Sequence, residues 1–188
     1  GNMLPSSTAL TTTPTYYYAA QSAYQCESSR IGVIANVNSI QPPTITGNNN
    51  LCLNSTTQLT GFPAGGTWKS IYTSVAAVSS TGLVTAISPG TAEIRYVVHN
   101  AGGGADSTSK MITINPLPFP DFSFTGIAYG QTTTFNNTTP GSITSYKWSF
   151  GDGITSTEAS PSHTYNAAGS YEVKLEATSS HGCTDSII

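Results

Sequence analysis

Apolar side chains in this sequence recur at every second position over short runs, not at helical spacing. Ala92, Ile94, Tyr96 and Val98 share one parity. Tyr146, Trp148 and Phe150 alternate with Lys147 and Ser149, and Tyr171, Val173, Leu175 and Ala177 alternate with Glu172, Lys174 and Glu176. Successive side chains of a strand point to opposite faces, so the alternation predicts strands that are apolar towards a core and polar towards water. Clusters of Gly, Pro, Asn and Ser interrupt the runs at intervals of roughly 8 to 12 residues, the rhythm of antiparallel sandwiches and barrels. The pattern predicts strands over 16–24 and 31–37, the latter with Ile31, Val33, Ala35 and Val37 on one face, and then over 57–60, 66–70, 76–79, 83–87, 92–98 and 110–114. Gly82 and Pro89-Gly90 are placed to turn the chain between strands. The fold class is all-β.

Two proline clusters of similar make-up, Gln41-Pro42-Pro43 and Asn115-Pro116-Leu117-Pro118, each follow a run of alternating apolar residues. Proline cannot donate to a strand ladder and favours extended backbone, so both clusters read as short, stiff linkers between beads. They divide the chain into residues 1–41, 42–116 and 117–188. The first bead holds only two predicted strands, too few for a core: either they pack on something else in the chain, or they are the C-terminal part of a domain, the choice that the resemblance given below favours. In the third, Trp148 and Phe150 face inward and Phe122, Phe124 and Phe135 are expected to fill the remaining core. Gly151-Asp152-Gly153 reads as a turn: the glycines supply permissive backbone, and the Asp152 carboxylate can accept backbone N–H bonds within it.

Charge changes the picture of partners. Only 8% of the 188 residues are charged, about a third of the usual share, and the net charge is -3. With 54 Ser and Thr, 18 Gly and 11 Pro, the surface is polar without being ionic. Four Lys and two Arg scattered over the chain give no footprint for phosphates, which excludes nucleic acid as a partner. No stretch approaches the roughly 20 apolar residues of a membrane span, so no membrane insertion is expected in this segment.

Three stretches carry family resemblances. TYYYAAQSAYQCESSRIGVIANVN, residues 15–38, resembles the closing hairpin of Ig-like repeats in very long surface proteins of gliding, polysaccharide-degrading bacteria. GGTWKS, VAAVSSTGLVTAISPGTAEIRYVV and MITI look like a bacterial Ig-like domain of the second group, in which the TGLV and SPGTA segments are tight turns into buried strands. WSFGDG at 148–153, followed by PSHTYNAAGSYEVKLEATSSHGC at 161–183, is similar to the PKD domain, an Ig-like sandwich. The resemblance assigns an architectural role to Trp148, Phe150, Gly151, Asp152, Gly153, His163, Tyr165, Gly169 and Tyr171. It also implies that the last PKD strand is missing after Ile188, and that the sequence is an excerpt of a longer chain.

Candidate chemistry is sparse. His99, His163 and His181 have no His or Cys at ligand spacing, and His163 in SHTY reads as the brace of a turn. Asp152 and Glu158 are a carboxylate pair without a third partner, so catalysis is not expected. No cofactor is expected; calcium at loops is the one metal considered, although no D-x-[DN]-x-[DN]-G loop is present. Tyr16, Tyr17 and Tyr18 are candidate glycan contacts, whereas Trp68 and Trp148 read as core. Asp106-Ser107-Thr108 and Asp185-Ser186-Ile187 resemble the O-glycosylation sequon of the same gliding bacteria, which makes Ser107 and Ser186 candidate modification sites. Asn54, Asn136 and Asn137 open N-x-[ST] triplets.

One cysteine falls in each bead, and three cannot all pair. The resemblances imply partners that the sequence lacks: one earlier than Cys26, one in the loop at Gly102, Gly103 and Gly104 for Cys52, and one early in the third bead for Cys183. Cys52 and Cys183 are therefore expected to be free, buried thiols, with a Cys26 to Cys52 bridge as the rival outcome. The functional expectation is a non-catalytic structural or adhesive segment of a large, repetitive, extracellular cell-surface protein. The resemblance implies an adhesin or filament exported by the type IX route used for gliding. Its partners would be neighbouring Ig-like domains of the same chain and surface polysaccharides. The competing expectation is a carbohydrate-binding or spacer segment of a secreted polysaccharide hydrolase.

Overall fold

The computed structural model describes residues 41–99, 104–126 and 128–188, with the backbone of 15–18 and 31–34. Gly1–Gln41 and Pro42–Ile188 are separate compact units. In the first, β1 (Thr15–Tyr18) and β2 (Ile31–Ile34) form an antiparallel pair in which Tyr16 lies opposite Val33. The predicted hairpin is present at these positions. The side chains of Tyr16, Tyr17 and Tyr18, and Cys26 as a whole, lie outside the described residues.

The second unit contains two sandwiches in succession. Up to Asn115 the strands are β3 (Thr44–Thr46), β4 (Asn50–Cys52), β5 (Thr56–Gln58), β6 (Thr60–Phe62), β7 (Thr67–Ser70), β8 (Ala76–Val78), β9 (Leu83–Ala86), β10 (Gly90–His99) and β11 (Ala105–Asn115). They form sheets in the orders β4-β11-β10-β7, β5-β9-β8 and β3-β6. The long β10–β11 pair alternates as its sequence predicts: Ala92, Ile94, Ile112 and Ile114 are buried against Val84, Ala86 and Ala76 from the opposing sheet. One predicted strand, 57–60, is broken. Leu59 is drawn into the core and its N–H donates to Gly82 O at 2.9 Å, so β5 and β6 leave it in different sheets. The short strands β3 and β4 have no alternating apolar run and went unpredicted.

Tyr96 shares the inward parity of β10 but packs where the backbone, not another side chain, gives way. Its ring lies over Gly61 and Gly66, and a Cβ built on Gly61 would come within 2.5 Å of it. The hydroxyl donates to Pro63 O and accepts from Gly66 N–H, both at 2.7 Å, and the Trp68 ring lies 4.5 Å away. A buried phenol needs such partners for its polar end.

After Asn115 the chain runs through Pro116, Leu117, Pro118, Phe119 and Pro120, of which Pro118 and Pro120 are buried. The second sandwich then pairs β12 (Phe122–Thr125), β13 (Thr132–Asn137) and β16 (Ser162–Thr164) in one sheet. The other takes β15 (Thr155–Ser156), β14 (Ile143–Ser149), β17 (Lys174–Ser179) and β18 (Thr184–Ile187). Trp148, Phe135, Phe150 and Leu175 are its fully buried centre. Phe122 meets Trp148 edge-on at 5.1 Å, and Trp148 Nε1 donates to Glu158 O at 3.0 Å.

One expectation is corrected here. Phe124, expected in the core, is 54% exposed: it stands near the end of edge strand β12 and reaches Phe135 from one side only, at 6.2 Å. Beyond Cys183, β18 pairs antiparallel with β17 from Thr184 opposite Thr178 to Ile187 opposite Leu175, a strand that the alternation pattern does not predict. Its sequence, TDSI, has too little apolar alternation to announce it.

Trp148→Ala is predicted to cost the second sandwich about 3 to 5 kcal/mol, because the ring is wholly enclosed. Gly61→Ala is predicted to destabilise the first by about 1 to 3 kcal/mol through overpacking on Tyr96. Calorimetric melts of the two variants check both; a Trp148→Ala melt that matches the parent contradicts the core assignment.

Candidate functional site

Two constellations stand out in the second unit. One lies at the junction of the sandwiches. Strand β4 runs parallel to the end of β11, which places Cys52 opposite Asn115, the last residue before the proline run. Leu53 N–H donates to Asn115 O at 2.9 Å, and Asn115 Nδ2 donates to Leu51 O at 3.3 Å, so a buried amide pins strand end to strand end. On the other side, β17 turns through Ser179 to Gly182, with Gly182 N–H bonded to Ser179 O and φ of 78° at Gly182, a conformation suited to glycine. Cys183 follows, 1% exposed, with its N–H on Ser179 Oγ. Its sulfur is bonded to that of Cys52, with the Cα atoms 5.5 Å apart.

This bridge overturns the expectation of free thiols at Cys52 and Cys183, and with it the rival Cys26 to Cys52 pairing. The resemblances imply partners within each bead, whereas Cys52 and Cys183 sit at the bead ends that meet. The available signal was the position of Cys52 shortly after one proline cluster, on a segment that must lie near the next.

The second constellation is the Gly151-Asp152-Gly153 turn. Gly151 has φ of 82°, and a Cβ there would meet the Glu172 carbonyl oxygen at 2.7 Å. Asp152 Oδ1 accepts from Ile154 N–H at 3.1 Å, and Oδ2 lies 2.7 Å from His163 Nε2. The imidazole stacks on Phe150 at 4.4 Å and 7°, and Tyr165 meets it edge-on at 4.5 Å. Tyr165 donates to Phe150 O and stacks on Tyr171 at 4.1 Å; Tyr171 in turn donates to Ala167 O, beside Gly169. The named motif residues thus form one column, with Trp148 beneath Phe150 in the core.

Burial pushes the Asp152 carboxyl up, but the Ile154 N–H and the His163 ring, by hydrogen bond and charge, outweigh it and hold the group below its ordinary 3.8. Burial, then the charge of Asp152, raises the Tyr165 phenol. The Asp–His pair resembles the orienting half of a catalytic triad, yet among the described residues no hydroxyl or thiol is hydrogen-bonded to His163. Its ring faces are occupied by aromatics, so the arrangement braces β16 against the turn.

The other candidate residues lie apart. Glu158 contributes its backbone carbonyl to Trp148, while His99 ends β10 and His181 sits in the β17–β18 turn, both exposed. Among the described residues no three or more His, Cys, Asp or Glu gather where a metal could be held. Ser107 on β11 and Ser186 on β18 are exposed, each with its N–H on the preceding aspartate, Asp106 or Asp185.

Two largely antiparallel sandwiches in tandem, one with an aliphatic and one with an aromatic core, a braced turn and a bridge between them define Ig-like beads in succession. Residues 39–109 match the bacterial Ig-like domain (group 2) and residues 117–187 match the PKD domain, so the chain carries one of each. Both are non-catalytic modules found in secreted proteins. Among curated proteins, the pre-pro-metalloprotease PrtV of Vibrio cholerae is 39% identical over 84 residues, 44% of this chain and 9% of PrtV. A microbial collagenase of Vibrio alginolyticus is 48% identical over 59 residues, 29% of this chain and 7% of the collagenase. The crystal structure of the PKD1 domain of PrtV shares 39% identity, covers 38% of this chain and 89% of that one, and has a TM-score of 0.35. The chain thus spans less than a tenth of the curated relatives it matches, and the matches fall on its PKD-like part.

Non-reducing tryptic digestion is predicted to leave residues 31–69 and 175–188 as one cross-linked pair that separates on reduction; recovery of the two as free thiol peptides contradicts the bridge. A carboxyl held lower in the folded than in the unfolded chain adds stability that is complete above the unfolded value and disappears as pH falls through the folded one. Asp152→Asn is therefore predicted to melt below the parent at pH 7, with the gap closing as pH falls below 3.8. A gap independent of pH contradicts the charged brace.

Proposed function

We propose that this segment is a non-catalytic structural and adhesive element of a large, repetitive protein held at the bacterial cell surface, an adhesin or filament of the kind exported by the type IX route for gliding. The observation that carries the reading is the junction: a proline run and a sulfur bridge tie two small sandwiches at two points, which suits a stiff spacer. A disulfide persists in oxidising surroundings, which supports an extracellular setting, and a surface with few charges keeps its properties across changes of salt. Neighbouring beads of the same chain and surface glycans are its partners in this reading, with Tyr16, Tyr17 and Tyr18 the residues proposed to meet a sugar.

A second reading has its own support. The PKD-like part matches a secreted metalloprotease and a collagenase, which favours a spacer or substrate-docking segment of an extracellular hydrolase. Antibody against the folded segment is predicted to label intact source cells and to stay with the cell pellet. Antigen recovered wholly in the culture medium, co-purifying with hydrolytic activity, supports the second reading instead.

A further inference from the structure

We propose that the Cys52–Cys183 bond is a load bypass, which carries tension past both cores. The reasoning is topological. Cys52 is the last residue of β4 and Cys183 directly precedes β18, so every strand from β5 to β17 lies inside the covalent loop that the bridge closes. Tension that enters the unit ahead of Cys52 and leaves it beyond Cys183 crosses from sulfur to sulfur. Most of the buried cluster around Ile94 and Ile112, and of the one around Trp148, lies off that path; Ile45, Leu51 and Ile187, on the strands outside the loop, are the members that lie on it.

What remains outside the loop is β3, β4 and β18. Strand β4 is laddered to β11 from Asn50 to Cys52, and β18 to β17 from Thr184 to Ile187. Each is held at its inner end by the bridge and pulled at its outer end. The proline run at 116–120 is also inside the loop, so under tension it bears nothing, and it is the bridge that sets extensibility.

The biological use of the bypass rests on the structural reading above; the bypass itself is a property of the isolated chain. The test is single-molecule stretching of the full chain held by its two ends. With the bridge intact, no event releases residues 53–182. In dithiothreitol, or in a Cys52→Ser variant, the same chain is expected to release about 430 to 470 Å more, the extended length of the 131-residue separation. Equal total release with and without reductant overturns the proposal, and so does long release from a non-reduced chain. Wild-type chain in reductant keeps the test decisive should Cys52→Ser fold poorly. A surface-labelling failure would sink the adhesin reading and leave these traces unchanged.

Discussion

Two sandwiches of this size each enclose a modest core, and whether they act singly or together depends on the bond from Cys52 to Cys183. The bond is available because β4 runs parallel to the end of β11 and so delivers Cys52 beside Asn115, where the first sandwich stops. The β17–β18 turn delivers Cys183 to the same place. In the chain-entropy picture, closing a loop with a sequence separation of 131 removes unfolded-state freedom equivalent to about 5 kcal/mol. That is comparable to the whole stability of many small domains. The bridge therefore bears on stability as well as geometry, and shares its gain between two cores that have no strand in common.

Within the second sandwich, residues with catalytic reputations are used as carpentry. Asp152 satisfies the backbone of its own turn with one oxygen and holds His163 with the other. The imidazole then serves as a flat ring between Phe150 and Tyr165. Tyr165 extends the column to Tyr171 and uses its hydroxyl on Phe150 O. In this column the Asp152 carboxylate and the Tyr165 and Tyr171 hydroxyls all have hydrogen-bond partners, and the rings from Phe150 to Tyr171 pack one on the next. The same groups hold two sheet edges and a turn in register.

The polar but weakly charged surface fits this construction. Packing and backbone ladders carry the fold, and among the described residues the one Arg–Glu contact, Arg95 to Glu93 at 3.1 Å, is exposed and contributes little. An array built in this way responds weakly to salt. Its charged group of note is the Asp152 carboxylate of the buttressed turn, and its covalent tie is the bridge at the junction.

Much of the architecture was legible in the chain itself. Period-two alternation placed β10, β14 and β17, because a strand with one face buried must write that face into every second residue. The Gly151-Asp152-Gly153 turn was legible because a tight turn favours glycine and a short carboxylate at those positions, while its partners at 161–171 were implied by the resemblance to the PKD domain. Local pattern failed where the determinant was not local. Leu59 splits a predicted strand because two sheets compete for it, Phe124 is left outside because β12 is an edge, and β3, β4 and β18 are too short to show a period. The pairing of Cys52 with Cys183 was hidden for the same reason. A sequence records which residues want burial or a turn, but two cysteines in different domains become neighbours only once both sandwiches have folded and the short proline run has set them end to end.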